Sequence, residues 1–332
     1  MHQERALVTG AAGFIGSHVA RHCRDLGMQV IGADNLSGGD PANVPDGVPL
    51  EVGDLTDPAF VDGLWERHGG FDYVYHLAAY AAEGLSHFVR RFNYQTNLVA
   101  SVNLINASVR GRVRRFVFTS SIAVYGTGQL PLSESTIPHP EDPYGISKYA
   151  VELDLRAAEA MFGLPFTVFR PHNVYGEAQN IADRYRNVVG IFMNRLLQGQ
   201  SMPVFGDGLQ SRAFSHVDDV APYIAAAPRV PASVNATYNI GSDTVTTVRD
   251  LAHLIAAAFG RPPVLEHLEA RNEVVHAHAD HSRFCADFHP RAEVPLEVGL
   301  RRMADWVRSR GPAVPTVFKG IEIHDKLPAS WR

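Results

Sequence analysis

Three regularly spaced glycines near the start of the chain constrain its fold more than any other feature. They are Gly10, Gly13 and Gly16. The short apolar run 6–9 precedes them, and the apolar residues of segment 17–26 after them have helical spacing. In such a loop the first glycine permits a tight turn, the second lets backbone amides approach a pyrophosphate, and the third lets the helix pack closely on a sheet. A glycine loop between a strand and a helix therefore predicts a dinucleotide site.

The first half of the chain alternates short apolar runs with stretches of helical spacing. The runs predicted as buried strands are 6–9, 29–33, 73–77, 115–120 and 166–170. The helices predicted between them are 18–26, 59–67, 97–110 and 149–161. Strands that alternate with helices in this way are typical of an α/β fold with a doubly wound parallel sheet of the Rossmann type.

The pattern becomes irregular after residue 174. Later helices are predicted near 191–198, 248–259 and 296–309, separated by short pieces rich in proline and glycine. We therefore expect a dinucleotide-binding domain over 1–174 and a smaller α/β substrate-binding domain over 175–332. Segments near 215–242 are expected to return to the first domain.

Composition excludes several classes of protein. Of the 332 residues 45% are hydrophobic and 20% are charged, which argues for a buried core and against general disorder. The net charge of −5 offers no basic excess for a nucleic-acid partner. Two cysteines, Cys23 and Cys285, cannot form a disulfide framework. Without a signal-like or membrane-spanning apolar run, the sequence predicts a soluble, cytoplasmic protein.

An acidic residue ends the second predicted strand. Asp34, followed by Asn35, comes about 20 residues after the glycine loop, where a carboxylate can accept hydrogen bonds from the adenosine ribose and would repel a 2′-phosphate. NAD is therefore favoured over NADP. The alternative is that the glycines form only a turn and Asp34 only a helix cap. Asp54 and Leu55, after another short strand, could contact the adenine.

A tyrosine and a lysine provide the candidate catalytic pair. Tyr144 and Lys148 are four residues apart, so a helix places them on one face, and a cation beside a phenol favours the phenolate. The hydroxyls of Thr119, Ser120 and Ser121 follow a predicted strand, at the edge where doubly wound folds bind ligands. Taken singly, the two patterns would also fit a solvated helix face and an ordinary turn.

These motifs together resemble the extended short-chain dehydrogenase/reductase family, in particular its nucleotide-sugar epimerase branch. The resemblance extends from residue 5 to about 280 and keeps the family's order. The segments that carry it are 10–16, 34–35, 54–55, 76–79, Asn97, 119–121, 124–126, Tyr144 with Lys148, 170–176, 212–219 and 238–242.

The resemblance implies NAD as the cofactor and assigns catalytic roles. Tyr144 would be the acid/base on a sugar hydroxyl, Lys148 would lower its pKa and hold the nicotinamide ribose, and Ser121 would bridge Tyr144 and the sugar oxygen. The implied cofactor contacts are Gly10, Gly13, Phe14, Ile15, Gly16, Asp34, Asn35, Asp54, Leu55, Leu77, Ala78, Ala79, Asn97, Tyr144, Lys148 and Pro171.

The resemblance also implies a UDP-sugar substrate. Asn173, Arg212 and Arg271 would hold the diphosphate and Phe205 would flank the base, although a surface charge is the alternative reading for both arginines. Arg184 and Arg186 could face a C6 carboxylate or lie on a solvated face. The implied substrate contacts are Glu83, Thr119, Ser120, Ser121, Tyr144, Asn173, Arg184, Arg186, Val204, Phe205, Arg212 and Arg271.

The reaction implied is inversion at C4 through a transient 4-keto sugar. The related dehydratases usually carry an Asp-Glu pair where this chain has Ser120 and Ser121, which favours epimerisation. A dehydratase, a ketoreductase and a non-enzymatic binding protein remain as alternatives. UDP-glucose/galactose and UDP-glucuronate/galacturonate rank equally as substrates. The N-acetylhexosamine pair ranks third, and it is not excluded because Ala277, at the position that would admit or reject an N-acetyl group at C2, is small.

Three further expectations concern the oligomeric state, the histidines and the last segment of the chain. Relatives dimerise through the helices that correspond to 97–110 and 149–161, so a homodimer is expected. His76 is interpreted as a buried structural residue, and the histidines at 276, 278 and 281 lack the companions of a zinc site, so no metal is expected. Segment 321–332 falls outside every recognised motif.

Overall fold

The structure is a computed structural model that describes residues 3–128, 130–270, 276–328 and 331. The strands in chain order are β1 (Arg5–Thr9), β2 (Gln29–Asp34), β3 (Leu50–Val52), β4 (Tyr73–His76), β5 (Arg115–Thr119), β6 (Phe166–Pro171), β7 (Val174–Tyr175), β8 (Met202–Phe205), β9 (Ser211–Ala213), β10 (Ser215–His216), β11 (Ala236–Ile240), β12 (Val245–Thr247), β13 (Leu265–Leu268) and β14 (His276–Ala277). The α-helices are α1 (Phe14–Asp25), α2 (Pro58–His68), α3 (Glu83–Ser86), α4 (Arg90–Tyr94), α5 (Ala100–Arg110), α6 (Pro143–Phe162), α7 (Val188–Leu197), α8 (Ala221–Ala226), α9 (Val248–Ala258), α10 (Ser282–Phe288) and α11 (Leu296–Arg310).

Seven parallel strands form the central sheet, in the order β11-β6-β5-β4-β1-β2-β3. The chain winds outward in one direction from β1 to β3 and in the other from β4 to β11. The order in which successive strands are added therefore reverses between β1 and β4. Doubly wound folds bind ligands at this switch point, at the carboxyl ends of the strands. The predicted Rossmann-type fold is confirmed.

Helices cover both faces of this sheet. On one face α1 and α8 pack over β1 and β4, and on the other α2, α5 and α6 pack over the same strands. The residues Ala6, Leu7 and Val8 of β1 are fully buried, which is why this strand is apolar without alternation. Each large aliphatic side chain buried here contributes about 1.5–3 kcal/mol to folding.

A separate cluster of apolar side chains lies in the second half of the chain. It is formed by α7, α9 and α11 around β8. The second half also returns to the central sheet, because β11 pairs with β6 in parallel, starting with Ala236 opposite Thr167. The boundary between two domains at residue 174 stays a prediction.

The predicted helices are present, but several start elsewhere. Helix α6 begins at Pro143 rather than at 149, because the Asp142 side chain accepts a hydrogen bond from Gly145 N at 2.9 Å and so caps the helix. The predicted helix 97–110 is also different. It starts with α4, passes through a π-helical turn (Gln95–Val99) and continues as α5. Such turns are frequent at functional sites.

Two features do not occur in the ranges 3–128, 130–270, 276–328 and 331. No helix in those ranges is both long and apolar enough to span a bilayer. No group of three or more histidine, cysteine, aspartate or glutamate side chains in the same ranges could hold a metal ion. The cytoplasmic location expected from the sequence stays a prediction.

Candidate active site

The glycine loop lies at the carboxyl end of β1 and is shaped by close backbone contacts. Gly10 has a φ of +71° and donates its N–H to Ala33 O at 2.8 Å. A Cβ on Gly10 would lie 2.9 Å from Ala78 N, and a Cβ on Gly16 would lie only 1.9 Å from Gly10 O. Helix α1 follows with Gly13 as its N-cap and no side-chain capping bond. Its first amides can therefore bind an anionic group.

Asp34 closes this loop from the neighbouring strand. Its Oδ2 accepts a hydrogen bond from Ala12 N at 3.1 Å, and its Oδ1 accepts one from Leu36 N at 2.8 Å. The carboxylate is buried beside the loop and lines the same cavity. Asp54, which also lines the cavity, uses Oδ1 to accept a hydrogen bond from Thr56 N. Negative charge thus lies on the side of the loop that would face an adenosine ribose.

The second half of the site lies at the carboxyl end of β5. Lys148 Nζ donates a hydrogen bond to Thr119 O at 2.9 Å and lies 5.8 Å from the centre of the Tyr144 ring. Ser121 is hydrogen bonded to Tyr144. Thr119 Oγ1 is buried and has no hydrogen-bond partner within the described part of the chain. The hydroxyls and the ammonium that the sequence analysis singled out therefore meet at one point.

One continuous cavity of about 1900 Å³ joins the two halves. Most of the expected site residues line it: Gly10, Gly13, Phe14, Ile15, Gly16, Asp34, Asn35, Asp54, Leu55, Leu77, Ala78, Ala79, Glu83, Thr119, Ser120, Ser121, Tyr144, Lys148, Pro171, Asn173, Arg184, Arg186, Phe205 and Arg212. Glycine loop, hydroxyl cluster and arginines thus surround a single space long enough for a dinucleotide with a second ligand beside it.

Two expected contacts do not line this cavity. Asn97 is buried behind the wall, where its Oδ1 accepts a hydrogen bond from Tyr80 N at 2.8 Å and its Nδ2 donates one to Tyr80 O at 3.1 Å. It therefore shapes the wall through the Tyr80 backbone, and its expected contact with the cofactor stays a prediction. Val204 is fully buried in the cluster around β8, because alternate side chains of that strand point into this core. Arg271 lies outside the described residues.

The remaining expected substrate contacts come from loops and short strands of the second half. Arg212 lies in β9, opposite Thr246 of β12 and Ala277 of β14. Asn173 Nδ2 donates to Ala213 O at 3.2 Å. Arg186 pairs with Asp183 at 2.7 Å, and its guanidinium lies 4.8 Å from the centre of the Tyr80 ring. Arg186 is therefore held in the cavity wall by both an ion pair and an aromatic ring.

The model of the NAD dependent epimerase/dehydratase family matches residues 6–241. The chain belongs to this family. It is 32% identical to the crystal structure of UDP-glucose 4-epimerase with UDP-glucose from Thermotoga maritima, which superimposes with a TM-score of 0.86, and the match covers 92% of this chain and 99% of that one.

Other family members have different reactions or ligands. UDP-glucose 4-epimerase from Thermus thermophilus, solved in complex with NAD, is 31% identical with a TM-score of 0.85, over 92% of this chain and 99% of that chain. A dTDP-glucose 4,6-dehydratase from Streptomyces antibioticus is 31% identical over 93% of this chain and 97% of its own length. This epimerase/dehydratase family member is thus an enzyme that uses NAD, and its reaction is not distinguished by similarity alone.

The residues of the site fit NAD. The glycine loop leaves no space for a Cβ on Gly16, the amides at the start of α1 suit a diphosphate, and Asp34 suits an unphosphorylated ribose. At the other end, Thr119 Oγ1, which has no partner among the described residues, and the ammonium of Lys148 provide polar contacts beside Pro171. Bound there, NAD would supply the hydride acceptor and, when oxidised, a positive charge near Tyr144.

Burial changes the pKa values of both residues of the candidate catalytic pair. Burial, followed by the negative charge of Glu83, raises the pKa of Tyr144, and the hydrogen bond from Ser121 and the charge of Arg186 only partly oppose this rise. Burial lowers the pKa of Lys148 to about 7, with Glu152 acting in the opposite direction. Among the protein's own residues burial therefore dominates the pKa of Tyr144, and the expectation that Lys148 lowers this pKa stays a prediction.

A buried charge network behind the hydroxyls was missed by the sequence analysis. Glu152 accepts a hydrogen bond from Ser120 Oγ at 2.6 Å and two from Arg170, from Nε at 2.9 Å and from Nη2 at 2.5 Å. Arg170 also donates to Tyr125 OH at 2.7 Å. Glu152 follows Lys148 by one helical turn, so this spacing could have placed Glu152 on the same helix face as Lys148, although it gives no sign of Arg170.

His76 is buried, as interpreted from the sequence. Its Nδ1 lies 2.8 Å from Thr9 Oγ1, and its Nε2 lies 2.8 Å from Ser101 Oγ. Burial, with a smaller effect of Lys148, lowers the pKa of His76 to about 3. The ring is therefore neutral at physiological pH and connects β1 and β4 to α5.

Proposed function

We propose that the protein is a UDP-sugar 4-epimerase that inverts C4 of UDP-glucose/galactose or UDP-glucuronate/galacturonate. The observation that carries this proposal is the cluster of Ser121, Tyr144 and Lys148 at the carboxyl end of β5, inside the cavity that also contains the glycine loop. Reversible oxidation of a sugar alcohol needs a proton acceptor and a hydride acceptor that meet at one carbon.

The chain's own residues would handle the proton and orient the substrate. Tyr144 accepts the proton of the C4 hydroxyl and returns it, while Ser121, hydrogen bonded to Tyr144, bridges to the same sugar oxygen. Lys148, fixed by its bond to Thr119 O, holds a positive charge next to the phenol. Arg212 and Asn173 would hold the diphosphate, because guanidinium and amide donors pair with phosphate oxygens.

The network behind the hydroxyls favours epimerisation over dehydration. Elimination of water from C5 and C6 needs an acid and a base next to those carbons. Position 120 of this chain has a serine whose Oγ donates to the buried Glu152, and position 121 has the serine bonded to Tyr144. Neither side chain is a carboxylic acid that could perform the elimination.

The proposal is tested by incubating the purified protein with UDP-glucose, UDP-glucuronate and UDP-N-acetylglucosamine. Proton NMR distinguishes C4 epimers by the coupling of the hexosyl H4. We expect conversion of at least one of them to its C4 epimer without steady accumulation of reduced cofactor at 340 nm. A dehydrated 4-keto product, or stoichiometric consumption of reduced cofactor, would contradict the proposal.

The variant Tyr144→Phe provides the control for this experiment. It keeps the ring and its packing but removes the acid/base oxygen, so turnover should fall by at least about 100-fold while NAD stays bound. Unchanged turnover in this variant would show that another group moves the proton.

We also propose that the protein is a homodimer formed through α5 and α6. The exposed face of α6 supports this, because Ile146, Leu153 and Met161 are 39%, 47% and 76% exposed. Apolar side chains repeated along one helix favour contact with another helix. Multi-angle light scattering should give twice the chain mass, and Leu153→Asp should produce the monomer.

A further inference from the structure

The last part of the chain packs against the sugar end of the cavity. We call residues 312–328 together with Trp331 the C-terminal strap; it follows α11 and includes most of the segment for which the sequence offered no motif. The strap residues that line the cavity are Pro315, Ile323, Asp325, Lys326, Pro328 and Trp331. The strap is therefore part of the cavity wall and not an appendage on the outer surface.

The strap is anchored first to α7 and then to the segment that carries the two arginines. Ala313 exchanges two hydrogen bonds with the Asn194 side chain, at 2.9 and 3.0 Å. Thr316 N donates to Ala182 O at 2.9 Å, and Phe318 N donates to Tyr185 OH at 3.2 Å. These bonds hold the strap beside the segment between Asp183 and Asn187, where Arg184 and Arg186 lie.

A second set of contacts attaches the strap to the segment that carries Glu83. Glu322 N donates to Phe88 O at 2.8 Å. The Glu322 carboxylate accepts hydrogen bonds from Arg91 N and Phe92 N, both at 2.9 Å. Such charge-assisted bonds to backbone amides are stronger than neutral ones. The strap therefore crosses from one wall of the cavity to the other.

Aromatic and apolar side chains fill the junction between these parts. The Phe318 ring lies 4.9 Å from Phe92 and 5.5 Å from Tyr80, measured between ring centres. Trp331 is 6% exposed and lies 5.4 Å from Tyr185. A Cβ on Gly84, next to Glu83, would lie 2.9 Å from the Trp331 ring. The indole therefore packs directly on the chain that presents Glu83.

Both walls that the strap connects act on the catalytic tyrosine. Glu83 and Arg186 are among the charges that shift the pKa of Tyr144, in opposite directions. They belong to segments about 100 residues apart in sequence, and the strap contacts both segments. A change in the strap would therefore alter the space for the hexosyl group and the charges around Tyr144 together.

We propose that the C-terminal strap forms a wall of the hexosyl subsite and positions Glu83 and Arg186 around the sugar. This inference rests on the proposed function, because it takes the ligand to be a UDP-hexose. The strap would contribute to recognition of the sugar but not of the uridine or the diphosphate, which are expected near Phe205 and Arg212.

The test measures the ratio of two dissociation constants, that of UDP divided by that of UDP-glucose. Calorimetric titrations use the NAD-loaded protein with Tyr144→Phe, so that the sugar is not converted. Three changes are added singly: a chain ending at Gly311, Trp331→Ala and Glu322→Ala. Val314→Ala serves as the matched control, because Val314 lies in the strap but is 86% exposed.

We expect each of the three changes to lower the ratio at least about fivefold through weaker binding of UDP-glucose, with UDP affinity changed less than about twofold. Val314→Ala should leave the ratio unchanged, and Trp331→Phe should restore most of it. An unchanged ratio in all three variants, or equal losses for both ligands, would overturn the inference and leave the proposed function intact. If the protein with an unaltered strap binds neither ligand, the proposed function itself fails.

Discussion

Substitution of Glu152 by glutamine should destabilise the protein strongly, because it removes one partner of a buried ion pair. The side chains of Glu152 and Arg170 are 1% and 2% exposed, and Arg170 Nη2 lies 2.5 Å from Glu152 Oε2. Glutamine is nearly isosteric and can still accept the bond from Ser120 Oγ with its one oxygen. Its amide nitrogen, however, would face the Arg170 guanidinium, which is also a donor.

The magnitude follows from this geometry. Removal of one partner of a buried, hydrogen-bonded pair costs about 3–5 kcal/mol, because the remaining charge stays in the interior without compensation. Since glutamine preserves shape and one acceptor, we expect a loss near the lower end, about 3 kcal/mol. Typical domains have only about 5–15 kcal/mol of stability, so the effect should be easily measured.

The assay is urea unfolding at constant pH, with a double-mutant cycle. Glu152→Gln, Arg170→Gln and the double variant are compared with the unaltered protein. The sum of the losses in unfolding free energy of the two single variants should exceed the loss of the double variant by at least about 2 kcal/mol. A loss below about 1 kcal/mol for Glu152→Gln, or strict additivity of the two single losses, would refute the claim that breaking the pair leaves a buried charge without compensation.

The same variant has an expected effect on activity. Glu152 raises the pKa of Lys148, which burial brings to about 7. Without the carboxylate the pKa of Lys148 should fall further, so the protonated lysine should be lost at lower pH. The alkaline limb of the pH–rate profile should therefore move to lower pH, and a limb that stays in place would show that Lys148 does not sense Glu152.

Two other perturbations test the cofactor loop and the buried histidine. Gly16→Ala places a Cβ 1.9 Å from Gly10 O, so NAD affinity should fall at least about tenfold in a fluorescence titration. Gly190→Ala is the control, because the atom nearest to its Cβ is 3.6 Å away, and this variant should bind NAD normally. The pKa of His76 is about 3, below its unfolded value, so the unfolded chain binds the extra proton and stability is lost as pH falls below about 6.5. Urea unfolding should show about 2 kcal/mol of this loss at pH 5, and His76→Leu should lack it; an equal pH slope in both proteins would contradict the assignment.

The amino-acid sequence by itself determined the features that depend on local spacing. The glycine loop, the alternation of strands and helices, and the four-residue spacing of Tyr144 and Lys148 all follow from short-range geometry, so they could be predicted without a structure. The hydroxyls of Thr119 and Ser121 could be placed for the same reason, because strand ends of a parallel sheet meet at one edge.

Only the tertiary structure decided how distant segments meet and what burial does to them. Glu322 contacts Phe92, and Glu152 contacts Arg170 across two elements; no periodicity in the chain indicates such pairs. The burial of Asn97 and Val204 behind the cavity wall has the same origin, because only the packing of the folded chain decides on which side of the wall a side chain lies. Burial also raises the pKa of Tyr144, and its extent depends on every element packed around the phenol.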